Sequence, residues 1–346
     1  MIRSILAVLA FTVLQCALGT GASAQTALCV EFWACGAYDL HDTTCRPAPP
    51  AGSMPSCVTV GSWTMVCIVS VPCGIPKAFC PTCGNPPSST PQGSVPINFT
   101  NGNTYIREND VRIPGLGGGL KLDRTWNSIW PASDSAYQSG MFGLGWRSTY
   151  EERVFQGAGN ASNYMAYLQA DGSLWYFSNS GTLVAPANVS ATLTQNGTQS
   201  WTIRFQNGEQ HTFSYTSGSL TSIIDRNGNT TTLSYDAANR LTTVTDPASR
   251  HLYFSYASGS SLLVTSITSD VGVSTAYSYD TQGRLTQVTE PDSSTLAFQY
   301  NSQSLISTVL DSNGVTLEAH TYDSSGHGLT ASRANGVDAI TVSYPQ

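Results

Sequence analysis

Over the last 130 residues, apolar and hydroxyl-bearing residues alternate in short runs broken by turn-forming residues. One such run is Leu241-Thr242-Thr243-Val244-Thr245, and it returns as Leu285-Thr286-Gln287-Val288-Thr289. Alternation of this kind predicts half-buried β-strands. Each run is entered from a turn that opens on tyrosine and aspartate: Tyr235-Asp236-Ala237-Ala238-Asn239-Arg240, then Tyr279-Asp280-Thr281-Gln282-Gly283-Arg284. A second turn follows, such as Asp246-Pro247 or Asp311-Ser312-Asn313-Gly314. Asp, Asn, Gly and Pro are the residues that turns select. A second strand then leads into the next tyrosine, as in Thr295-Leu296-Ala297-Phe298-Gln299-Tyr300. The tyrosines fall at Tyr215, Tyr235, Tyr256, Tyr279, Tyr300, Tyr322 and Tyr344, at gaps of 20, 21, 23, 21, 22 and 22. A steady period of this size marks a repeat architecture. Each unit reads as one hairpin of about 22 residues. One hairpin cannot bury its apolar face alone, so neighbours are expected to pair edge to edge into a growing sheet.

The array is expected to fill residues 157–346, behind a second unit at 96–156. That unit opens with Asn101-Gly102, a strong turn signal between apolar-alternating runs. Asp110-Val111-Arg112-Ile113-Pro114 reads as a strand that proline ends, Leu116-Gly117-Gly118-Gly119-Leu120 as a flexible turn, and Leu120 to Ser128 as a further alternating strand. The fold class predicted is all-β, with tandem hairpins forming a curved, shell-like sheet.

The amino terminus carries a different pattern. Arg3 precedes an apolar core from Ile5 to Leu14, and Ala22-Ser23-Ala24 supplies small residues before Gln25. Residues 1–24 therefore read as a secretory signal. A lipoprotein anchored at Cys16 is disfavoured, because Gln15 stands where a small residue is wanted. No later stretch is long and apolar enough for a transmembrane helix. The expected destination is secreted, periplasmic or cell-surface. Cysteine usage agrees with export. Apart from Cys16, the cysteines are Cys29, Cys35, Cys45, Cys57, Cys67, Cys73, Cys80 and Cys83. An even, clustered set in an exported chain predicts a disulfide domain, here 25–84, whose pairing the sequence leaves open. Cys80-Pro81-Thr82-Cys83 has no second close pair to complete a zinc site, and no βαβ pattern surrounds it. Residues 85–95, rich in proline and small polar residues, read as a linker.

Composition narrows the function classes. Charged residues make up 11% of the chain, and the formal net charge is −7. A general nucleic-acid binder needs basic surface to neutralise phosphates, and a polybasic lipid anchor needs a cationic run. Neither is present. The histidines, His41, His211, His251, His320 and His327, show no His-x-x-x-His or His–Glu pairing and read as polar sheet positions. Asp236, Asp280 and Asp323 each follow a repeat tyrosine and read as turn caps. Gly115 to Gly119 lacks the Lys-Ser/Thr ending of a phosphate loop, and Ser148 lacks a Gly-x-Ser-x-Gly context. Trp126, Trp130, Trp146, Trp175 and Trp201 read as core and cross-strand positions, with sugar stacking as the alternative. No catalytic residue, metal or cofactor is expected.

The Tyr-Asp…Gly-Arg-Leu-Thr…Val-Thr-x-Pro unit resembles the YD repeat of the Rhs family. Asn101-Gly-Asn-Thr-Tyr105, Leu122-Asp-Arg-Thr-Trp-Asn-Ser128 and Phe142-Gly-Leu-Gly-Trp-Arg147 resemble the domain of unknown function that opens the shell of many Rhs proteins. The likeness covers residues 97–346 and leaves out the Cys-rich region. It implies hairpins wound into a hollow shell around a carboxyl-terminal toxin released by self-cleavage. This sequence departs from that pattern. It stops at Tyr344-Pro345-Gln346, without the Asp-Pro-Gly-rich cleavage motif or a toxin segment. The expectation is an exported, non-enzymatic shell, scaffold or interaction protein, incomplete relative to toxin-enclosing relatives. The alternative is a carbohydrate- or surface-binding module, and the third reading a hydrolase. The expected partners are a second chain completing the shell, self-association, or a surface glycan, with no nucleic acid and no membrane span.

Overall fold

The computed structural model describes residues 96–98, 101–130, 138–157, 163–179, 181–186, 189–257 and 261–344, and the backbone of four short strands nearer the amino terminus. The signal, the linker and the eight cysteines of the expected disulfide domain lie outside the residues whose side chains are described. The chain divides into two compact units, Met1–Lys77 and Ala78–Gln346. In the first, Val13–Cys16, Ala27–Val30, Cys57–Thr59 and Met65–Cys67 form a four-stranded sheet.

The second unit is built on one fifteen-stranded antiparallel sheet running from Ala191–Asn196 to Val337–Thr341, with sequence neighbours adjacent throughout. The all-β hairpin array is therefore observed. Its register solves a problem that simple alternation conceals. Leu241 and Val244 are three residues apart, and a regular strand would send them to opposite faces. Both are buried. Ser234 pairs with Thr243 but Tyr235 with Leu241, so Thr242 is an extra residue on one strand. This β-bulge returns Leu241 to the face of Val244. The Thr242 hydroxyl donates to the Ser234 carbonyl at 3.1 Å, restoring a partner where the ladder is interrupted. Thr265, Thr286 and Ser307 stand at the same bulge and donate to Ser255, Ser278 and Gln299. Leu-Thr-x-Val is thus the sequence of a bulge, with a hydroxyl at the unpaired position.

Edge-to-edge pairing, expected to solve each hairpin's burial problem, satisfies backbone groups but covers no face. A second layer covers it. Tyr105–Ile113, Leu120–Asn127 and Trp146–Ser148 form a three-stranded sheet; Arg153–Gln156, Tyr164–Leu168, Leu174–Asn179 and Leu183–Val184 form a four-stranded one. Trp126 meets Tyr322, Trp146 meets Phe298, Phe142 meets Tyr277, Tyr150 meets Phe254 and Tyr167 meets Phe213, with ring centroids 4.8–6.4 Å apart. The opening segment thus runs along the array in the reverse sense, its early residues against late hairpins. Both layers share one apolar core. Residue 157 does not divide them, because Arg153–Gln156 pairs with Tyr164–Leu168 across it. The segment is tied to the first hairpins where Val154 N–H donates to Gly218 O at 2.9 Å. Gly218 has φ +69°, and a β-carbon there would stand 2.0 Å from Val154 O, so glycine is required.

Candidate functional site

The repeat residues form a spine along one end of the hairpins. The ladder within a hairpin is short: Thr243 to Thr245 pair with His251 to Tyr253 and no further. Beyond it the Tyr256 hydroxyl reaches back and donates to Leu241 O at 2.8 Å. Tyr235, Tyr279, Tyr300, Tyr322 and Tyr344 do the same to Leu220, Val264, Leu285, Ile306 and Gly328 at 2.5–2.7 Å. Tyr215 departs from the set. It is 38% exposed and lies parallel to Trp201, ring centroids 5.9 Å apart.

The aspartate after Tyr235, Tyr279 and Tyr322 closes the turn, and Asn301 does so after Tyr300. Asp236 Oδ1 accepts the N–H groups of Ala238 and Arg240, and Oδ2 accepts Arg240 Nε at 2.7 Å. The backbone N–H and then the guanidinium of Arg240 hold this carboxyl below its ordinary range. Arg240 in turn lies over Tyr256 at 4.8 Å. Asp280, Arg284 and Tyr300 repeat the arrangement. In the last unit Asp323 takes the N–H groups of Ser325 and His327, and His327 replaces arginine, its ring 5.1 Å from Tyr344. The spine therefore uses its hydroxyls and charges within the sheet.

Away from the spine, two buried polar clusters tie the layers together. His211 is buried with Nδ1 2.6 Å from Glu152 Oε2 and Nε2 2.7 Å from Glu209 Oε1. The Tyr167 hydroxyl also donates to Glu152 Oε2, at 2.7 Å. Burial works against the imidazolium, but the two carboxylates outweigh it and push His211 up to about 9. With both nitrogens engaged, His211 is a cationic bridge with no lone pair free to act as a base. The expected absence of His–Glu pairing is corrected here. Glu152 is remote in sequence and could not be foreseen, whereas Glu209, two residues from His211, was legible. His251 pairs with Asp270, and buried His320 has Glu318 Oε2 3.3 Å away.

The second cluster centres on Asp110. A bulge in Tyr105–Ile113 falls between Asn109 and Val111. The side chain of Asp110 accepts a bidentate pair from Arg124 and the Tyr277 hydroxyl at 2.6 Å. Arg124 is wholly buried over Trp146 at 4.5 Å. The neighbouring carboxyls Glu108 and Glu290 are pushed up to about 7, burial first, with Asp110 adding and Arg124 opposing.

A polar cleft of about 720 Å³ opens beside His211, lined among others by Arg107, Lys121, Asp123, Asp171 and Asp225. Among the described residues, no group of three His, Cys, Asp or Glu is placed to hold a metal. Of the tryptophans considered for sugar stacking, Trp126, Trp146 and Trp201 are buried. No helix of the described residues is long and apolar enough to cross a membrane.

Two family models match the chain. One, a domain of unknown function (DUF6531), matches residues 94–184. The other, RHS Repeat, matches 216–251, 261–295 and 279–316. The tRNA nuclease WapA of Bacillus subtilis and the tRNA3(Ser)-specific nuclease WapA of Bacillus spizizenii are each 30% identical over 148 residues. Those residues are 42% of this chain, which spans about 6% of the length of these relatives. Among solved structures, that of TcdB2-TccC3-Cdc42 covers 66% of this chain and 12% of its own, at 16% identity and TM-score 0.27. The Photorhabdus luminescens Tc holotoxin pore covers 69% and 14%, at 13% identity and TM-score 0.25. At those scores the structural likeness carries no functional information.

Proposed function

The chain is a YD-repeat protein of the Rhs family, and from that premise we propose that it is an exported scaffold whose repeats build a wall rather than a catalytic site. The observation that carries this reading is the fate of the repeat's reactive groups. Tyrosine hydroxyls, aspartates and arginines are taken up in turn closure and strand pairing within the sheet. The most catalytic-looking group, His211, is held at both nitrogens. The apolar face lies under the opening segment, and the exposed strand positions include Thr232, Ser234, Ser255, Ser278 and Gln299. Export and disulfide bonding of the amino-terminal cysteines belong to the same proposal and rest on the sequence alone.

The nuclease activity in the relatives' names belongs to proteins of which this chain spans about 6%. The test is direct. The purified chain is incubated with tRNA under the conditions in which such nucleases cleave it. The tRNA is expected to remain intact. Cleavage that disappears on His211→Ala or Glu152→Gln would overturn the scaffold reading.

A further inference from the structure

An asparagine followed by glycine is the pair of residues most prone to lose its side-chain amide. Glycine has no side chain to shield its own nitrogen, which can attack the neighbouring Cγ. The attack needs that nitrogen free, because a hydrogen-bonded N–H must first be released from its partner. Among the residues whose side chains are described, the pair begins at Asn101, Asn196, Asn207, Asn227 and Asn313. Four of these are held. The N–H groups of Gly102, Gly208, Gly228 and Gly314 close their turns, donating to the carbonyls of Asn98, Phe205, Asp225 and Asp311 at 2.8–3.0 Å. Asn196-Gly197 is set differently in its turn. There Gln199 N–H closes onto Asn196 O at 3.2 Å, so Gly197 is a central residue, at φ +59°. Its N–H carries no hydrogen bond among the described residues. Both Asn196 and Gly197 are exposed, and the space where a β-carbon of residue 197 would stand is open.

The amide nitrogen that must leave also lies against two hydroxyls. Asn196 Nδ2 donates to Ser200 Oγ at 3.0 Å and to Thr202 Oγ1 at 2.9 Å. We propose that Asn196 is a site of spontaneous deamidation, singled out from the other Asn-Gly pairs by the fold. Hydroxide takes the proton of the Gly197 nitrogen, and that nitrogen bonds to Asn196 Cγ. The Cγ–Nδ2 bond breaks, and the nitrogen leaves as ammonia with a proton from the Ser200 or Thr202 hydroxyl, which water restores. Water then opens the resulting succinimide at either carbonyl and leaves aspartate or isoaspartate. One water is consumed, one ammonia is released, and nothing is oxidised or reduced. Either product puts a negative charge at the tip of the first hairpin, whose strand Ala191–Asn196 carries none. Isoaspartate also lengthens the main chain by one carbon between that strand and Ser200–Phe205. The inference needs only the first hairpin and stands apart from the scaffold reading.

The experiment ages the full wild-type chain in mildly alkaline buffer, once folded and once in concentrated urea. Samples taken over time are digested, and chromatography with mass spectrometry follows amide loss and isoaspartate at each Asn-Gly pair. In the folded chain Asn196 is expected to convert at least ~5-fold faster than Asn101, Asn207, Asn227 or Asn313, the rate ratio set by one turn hydrogen bond that the others must first break. In urea those bonds are gone, and the five rates are expected to converge. A folded chain in which any of the four keeps pace with Asn196 would overturn the proposal. So would a lead for Asn196 that persists undiminished in urea, since the sequence and not the fold would then select the site. None of these outcomes bears on the tRNA test, so the two readings fail separately.

Discussion

At the scale of single residues, the repeat tyrosine is a hydrogen-bond donor placed where a hairpin's ladder gives out. Its period was legible because each unit from Tyr235 onward has the same gap to close. Removing the hydroxyl while keeping the ring isolates that role. Tyr256→Phe should cost about 1 kcal/mol, the net worth of one hydrogen bond, measured as a shift in urea midpoint with an unchanged slope. Gly218→Ala should cost more, since the added carbon meets Val154 O and the left-handed backbone is lost. The partners of Asp236 were legible because turn capping acts within a few residues. Those of Asp110 were not: Arg124 and Tyr277 reach it through a bulge and a contact between layers.

At the scale of elements, strand alternation predicted the hairpins but not their bulges. Leu-Thr-x-Val looks like simple alternation, yet its buried residues are three apart. Only the pairing register explains how both reach the core. The contact between the opening segment and the array should respond to pH in two steps. Glu108 and Glu290 have raised folded-state values, so their contribution is full in acid and is lost as pH rises through about 7. His211 is also raised, so its bridge is fully present below its ordinary value near 6.5 and is lost as pH rises through about 9. Thermal midpoints should therefore fall from pH 5 to pH 9.5. Glu108→Gln with Glu290→Gln should flatten the first part of the fall, and His211→Gln the second. A midpoint that rises over this range would contradict both assignments.

At the scale of the whole second unit, the array and the opening segment are two layers of one core. Sequence reading separated them at residue 157, past the last opening-segment motif at 142–147 and well before the first periodic tyrosine, Tyr215, because periodicity cannot report what packs against a sheet. Trp146, buried between the layers beside Arg124 and Phe298, is the strongest single test of the shared core. Trp146→Ala should cost about 3–5 kcal/mol. That is a large share of the 5–15 kcal/mol typical of a domain. The most direct measurement of the two-layer account is native-state hydrogen exchange on the intact chain. If the layers form one cooperative unit, amides in the strands Leu120–Asn127, Leu241–Thr245, Val264–Ser269 and Leu285–Thr289 should share the slowest exchange rate and the same denaturant dependence. An array that stays protected while 120–127 exchanges freely would contradict it.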